Sequence, residues 1–192
     1  TAVLAIWGLR LGTYLWGRNV GHEEDPRYQA MRRHSPGFWW VSLFKVFYLQ
    51  GALQLIVALP VFATATLSSA LNFGDYASLF VALFGIALEA TADTQLTRFK
   101  RDPLSSGSVL RTGVWGWCRH PNYFGELCMA WSVFGLALIG GGGWTVFAPL
   151  LMTWSIFRFT GVARMEQAIP SRRPGYSDYA SVTSVLVPWR PR

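Results

Sequence analysis

Charge is what this chain has least of. Of its 192 residues only 14% are Asp, Glu, Lys or Arg, while 52% are hydrophobic and 16% aromatic. Ordinary soluble domains carry about 25% charged residues, so the composition excludes a conventional water-soluble domain. Residues 46–73 and 127–157 contain no charged side chain at all. A helix needs about 20 predominantly apolar residues to cross the hydrocarbon of a bilayer, and these runs supply them. Cysteine is nearly absent. Cys118 and Cys128 are the only two, and neither lies in a CxxC or a Cys/His cluster of zinc-ligand spacing, so neither a disulfide nor a metal site is expected.

Breaks in the apolar runs set the expected elements. Pro60 and the four glycines at 140–143 interrupt the charge-free stretches, which predicts helices near 1–18, 37–60, 77–99, 122–139 and 144–166. The expected fold is all-α: a polytopic membrane bundle of about five transmembrane helices forming one domain over 1–192. The chain opens on Thr1, inside the first helix and without Met or a signal-peptide pattern, a start that fits a processed or truncated chain with something missing before it, upstream helices among the candidates.

Lys and Arg are distributed by loop. The connections 18–36 and 98–121 and the tail after 157 are basic, whereas 61–76 and 140–143 hold no Lys or Arg. That alternation puts every basic loop and the C-terminus on one side, the cytoplasmic side or its mitochondrial-matrix equivalent. It also accounts for most of the net charge of +7. No nucleic-acid recognition motif accompanies these cations, so membrane lipids and not nucleic acid are the expected partners.

One short run concentrates the chemistry. RHPNYFGE, over 119–126, places a cation, an imidazole, a carboxamide, a phenol and a carboxylate around Pro121. Proline is tolerated in the first turn of a helix, where its missing N–H is not needed, so a membrane helix is expected to begin here from the basic side. Its unpaired N–H groups and the charge of Arg119, flanked by His120, suit an anionic group such as a phosphate. Asn122 and Glu126 are four residues apart and share a helical face, with Tyr123 beside them. A carboxylate at membrane depth is costly without a partner or ligand, which marks a functional site by default.

Other walls of the same pocket are expected from elsewhere. Glu89 and Asp93 lie one turn apart on the third predicted helix, with Arg98 and Lys100 following. Arg158, Arg164 and Glu166 stand near the end of the fifth, followed by Tyr176 and Tyr179, which can close the site or sit in an interfacial aromatic belt.

The run RTGVWGWCRHPNYFGELCMAW, the later Glu166, the terminal PGYSDYASVTSVLVP, the upstream RLGTYLWGRNVGHEEDPRY and the Leu49-Gln50-Gly51 triplet together resemble the steroid 5-alpha-reductase-like family in its DUF1295 branch. The resemblance covers nearly the whole chain. Its superfamily includes sterol reductases that use NADPH and isoprenylcysteine carboxyl methyltransferases that use S-adenosylmethionine. In the reductases the Asn and Glu of the matching run bind the nicotinamide cofactor, which implies that role for Asn122 and Glu126. An acid lining that site matches Asp93; one turn earlier, where the reductases carry Asn, this chain has Glu89. The C-terminal helix of those enzymes contributes contacts matched approximately by Arg158, Arg164 and Glu166. At the catalytic end the expected Tyr position reads Trp7, and the helix that would carry the catalytic Glu lies upstream of Thr1, so the catalytic residues are unassigned.

Three functions fit this pattern. The first is an NADPH-dependent membrane reductase acting on a carbon–carbon double bond of a steroid-like or other hydrophobic lipid. The second is a non-catalytic lipid binder or structural subunit within a membrane complex, favoured by Trp7. The third is a methyltransferase using S-adenosylmethionine, whose usual paired acids on the last helix are reduced here to Glu166 followed by Gln167.

Overall fold

The structure is a computed structural model that describes residues 2–21, 26–65, 71–160, 162, 166, 169 and 173–191. Seven helices and no strand are present among them: α1 (Ala2–Asn19), α2 (Pro26–His34), α3 (Phe38–Ala65), α4 (Phe73–Arg101), α5 (Pro121–Ile139), α6 (Phe147–Ser155) and α7 (Tyr176–Val182). The chain divides into two compact units, Thr1–Ala58 and Leu59–Arg192.

Among the described residues three helices are long and apolar enough to cross a membrane: α3, α4 and α5, of 28, 29 and 19 residues. Five spans were expected. Of the other two candidates, α1 carries Arg10 and Arg18 within its 18 residues, and the fifth predicted helix is described without a break only from Phe147, as α6, through a π-helical turn at Ile156–Thr160, its remainder lying partly outside the described residues. The short helices α2 and α7 were not expected; at 9 and 7 residues they are too brief for periodicity to reveal.

In the first unit, Gly37 turns the chain into α3 with φ of 74°, a left-handed conformation that glycine adopts without steric cost. Leu43–Tyr48 is wound as a π-helix, with Phe44 and Tyr48 stacked at 5.4 Å. The predicted stop at Pro60 does not occur, and α3 runs through it to Ala65. In hydrocarbon a broken helix would leave several backbone groups without partners, so losing the single bond that proline removes is the smaller cost.

In the second unit, α4 and α5 form an antiparallel hairpin. Gly74 meets Ile139 at one end, Ser78 meets Gly135 next, and Gly85 meets Gly125 further along. At the last crossing a Cβ on either glycine would lie 2.6 Å from the other's carbonyl oxygen, so the two backbones approach as only small residues allow. The N-terminus of α4 is closed by a capping box: Asn72 Oδ1 accepts from the Gly74 and Asp75 N–H groups, and Asp75 Oδ2 accepts from the Asn72 N–H at 2.8 Å. The C-terminus of α5 ends at the glycine run as expected. Gly141, with φ of 85°, and Gly142 return their N–H groups to Leu138 and Ala137, a Schellman closure, before a 3₁₀ turn leads into α6.

Candidate functional site

The loop between α4 and α5 is pinned to the end of α4 before α5 begins. Gln95 Oε1 accepts from the Val114 N–H at 3.1 Å, and the Trp115 indole donates to the Ala92 carbonyl at 3.1 Å. Gly113 fits against Gln95 with φ of 62°, where a Cβ would lie 2.4 Å from the Gln95 amide nitrogen. Pro121 then opens α5 as its first residue, as the sequence predicts.

A C-terminal segment closes over this loop. Arg173 donates to the Ser108 carbonyl, Arg111 to the Gly175 carbonyl at 2.5 Å, and the Tyr179 hydroxyl to the Trp115 carbonyl at 2.5 Å. After α7 the chain runs beside residues 117–119: Cys118 and Ser184 form a parallel bridge, and the Arg119 N–H donates to the Ser184 carbonyl at 2.8 Å. Leu127, Ile156, Val162 and Leu186 make an apolar core in this unit, with Tyr123 and Phe124 packed on it.

Glu166 is the centre of the polar cluster. Its Oε2 accepts from Arg119 Nη1 at 2.6 Å, and its Oε1 accepts from both His120 Nε2 and the Tyr176 hydroxyl at 2.9 Å. A carboxylate can only accept, so His120 carries its proton on Nε2. Burial pushes the His120 pKa below its ordinary value, against the opposing pull of Glu166, so the ring is neutral near pH 7. Burial, then the Glu166 bond and charge, raise Tyr176 to about 12, which keeps its hydroxyl protonated as a donor. Burial likewise raises Cys118 to about 11, so its thiol is not a poised nucleophile. Tyr123 stacks on His120 at 5.7 Å, and Tyr176 packs edge-on against Tyr179.

The expected residues therefore separate. Arg119, His120, Tyr123, Glu166, Tyr176 and Tyr179 are gathered into one network, with Arg119 and His120 turned onto Glu166. Glu89 and Asp93 are buried on α4, and Glu89 packs where Gly125 of α5 comes closest. Asn122 and Glu126 are half-buried on the first turns of α5. Arg98 and Arg158 are exposed, and Arg164 lies outside the described residues. Trp7, half-buried, belongs to the other unit. Gln95, Arg111, Trp115 and Arg173, which build the frame, were not expected to matter; only the glycines at 113 and 175, each turning the chain at positive φ, hinted at fixed geometry there.

Fold and cluster together define an integral membrane protein of the helical-bundle class, with a polar, carboxylate-centred site at the start of a spanning helix. The chain belongs to the DUF1295 family, a family of proteins of unknown function, whose model matches residues 1–183. It is 28% identical over 190 residues to an uncharacterised protein of Schizosaccharomyces pombe, covering 84% of this chain and 52% of that one. It is 32% identical over 97 residues to the Delta(14)-sterol reductase LBR of Gallus gallus, covering 49% of this chain and 15% of that protein. The chain thus spans about half the length of one relative and a smaller part of the other. No solved structure matches it. The similarity to LBR connects the family, distantly, with membrane sterol reductases.

Proposed function

We propose that this chain carries the cofactor site of a membrane reductase that uses NADPH to saturate a carbon–carbon double bond in a steroid-like or other hydrophobic lipid. The observation that carries the reading is that Glu89 and Asp93 are buried on α4 and that Glu89 packs against Gly125, which stands between the half-buried Asn122 and Glu126 on the first turns of α5. The similarity to a sterol reductase supports it. In kind, the donor set fits a nicotinamide cofactor. The carboxylates and the Asn122 amide can hold its hydroxyl and carboxamide groups, and the exposed Arg98 and Arg158 can meet its phosphates. NADPH would supply the hydride.

The roles of Arg119 and His120 differ from the sequence expectation. Both are engaged by Glu166, so they act as positioning residues that fix the start of α5 instead of gripping a phosphate. The Lys and Arg distribution supports a cytoplasmic or matrix location for this end of α5. A second reading, a non-catalytic lipid binder or structural subunit of a membrane complex, is favoured by Trp7. An indole N–H donates a hydrogen bond but cannot replace a phenol as a proton donor.

The test is to titrate the purified chain in detergent with NADPH and S-adenosylmethionine side by side, and to repeat the preferred titration with Asn122→Ala and Glu126→Ala. Saturable NADPH binding, lost in both variants while thermal unfolding is unchanged, is the expected result. A preference for S-adenosylmethionine would redirect the reading to methyl transfer. Binding of neither would overturn the enzymatic reading in favour of the second.

A further inference from the structure

Two exposed tryptophans lie outside every spanning helix and are held together. The Trp189 N–H donates to the Trp117 carbonyl at 3.0 Å, and the two residues remain 69% and 57% exposed. Val187 and Leu104, on the same C-terminal segment and interhelical loop, are exposed as well. Residues that a water-soluble layer would bury are here turned outward, which calls for a partner of mixed character.

The position of the pair in the fold indicates which partner. Trp117 stands four residues before Pro121, the first residue of a spanning helix, and four residues reach at most about 14 Å. That places both indoles within reach of the polar headgroup layer, which adds about 5–8 Å on each side of the hydrocarbon. Tryptophan is enriched at this level because its ring is apolar and its N–H is polar. Charge points the same way. Across 98–120 and 173–191, Arg98, Lys100, Arg101, Arg111, Arg173 and Arg190 outnumber Asp102 and Asp178, with Arg119 already neutralised by Glu166.

We propose that Trp117 and Trp189, with the cations around them, form a headgroup-level anchor that seats the C-terminal segment on an anionic lipid surface. The bilayer then holds down the segment that carries Tyr176 and Tyr179. This anchor does not depend on the enzymatic reading, since it needs only the membrane span and the tie between the two tryptophans.

The experiment uses Trp189→Cys labelled with a nitrobenzoxadiazole probe, with the identically treated parent protein subtracting any label on Cys118 or Cys128. The protein is reconstituted in nanodiscs of phosphatidylcholine alone and of phosphatidylcholine mixed with phosphatidylglycerol. Emission should be lost on adding lipid with a nitroxide near the headgroup, more completely in the anionic discs, and should resist iodide in solution. Emission quenched by iodide and indifferent to nitroxide lipid in both discs would overturn the proposal and leave a protein partner as the occupant. Equal quenching by nitroxide lipid in the two compositions would remove the anionic preference. If Trp189→Cys does not fold, Val187→Cys carries the same probe.

Discussion

At its glycine end the α4–α5 hairpin is closed by bonds between near neighbours, whereas at its other end a single carboxylate joins groups 46 and 47 residues away in sequence. The first end needs only turn chemistry: Asn72 and Asp75 cap α4, and Gly141 and Gly142 finish α5. The second spends charge, with Arg119, His120 and Tyr176 all converging on Glu166. Where a helix end only has to stop, local residues suffice; where it has to hold a fixed geometry against a distant segment, the chain commits buried ionisable groups.

Glu166→Ala should break this contrast with the largest effect. It removes the shared acceptor of three donors and leaves the Arg119 charge, only 11% exposed, without its counter-ion. Breaking such a pair costs about 3–5 kcal/mol, so thermal unfolding in detergent should move sharply downward. Glu166→Gln should recover part of the loss by keeping an acceptor oxygen. An unchanged transition in Glu166→Ala would mean that the network adds nothing to the fold.

Gly125→Ala should follow. The added methyl would meet the Gly85 carbonyl oxygen at 2.6 Å and Glu89 Cβ at 3.0 Å, and both are fixed by α4. Overpacking of this kind costs about 1–3 kcal/mol and should push the two helices apart. Because Glu89 lies at that crossing, nucleotide affinity should fall together with stability, a coupling that Asn122→Ala lacks. Asn72→Ala, at the locally built end, should cost about 1 kcal/mol, as for the loss of a helix cap, with nucleotide affinity intact. Parallel unfolding and binding titrations on the two variants decide whether the ends are independent.

What could be read in advance divides along the same line. The charge-free runs, Pro121 and the glycines at 140–143 announce α3, α5 and the turn after α5 because each acts on its own neighbours. Asn122 and Glu126 stood out for a similarly local reason, their shared helical face. The engagement of Arg119 and His120 by Glu166 was not legible, since no period or spacing connects those positions. Nor was the run of Ser184 beside Cys118, or the continuation of α3 through Pro60, where the solvent around the helix overrides the residue's own preference. The difference between five expected spans and the three among the described residues has a plainer origin: Arg10 and Arg18 interrupt α1, and the fifth predicted helix, 144–166, lies partly outside the described residues.

The smallest effect should come from a single proton. His120 has a folded-state pKa below the value near 6.5 that it takes when unfolded. Between those two values the unfolded chain binds more protons, so stability rises with pH through that window, is complete above it, and is lost as the pH falls through it to the folded-state value. One proton limits the slope to about 1.4 kcal/mol per pH unit. Unfolding transitions measured on either side of pH 6.5 should therefore move down on the acid side. In His120→Gln, which keeps an N–H donor but cannot titrate, the slope should flatten. A slope that persists in His120→Gln would assign the titration to another group and leave His120 as an uncharged strut between Glu166 and the start of α5.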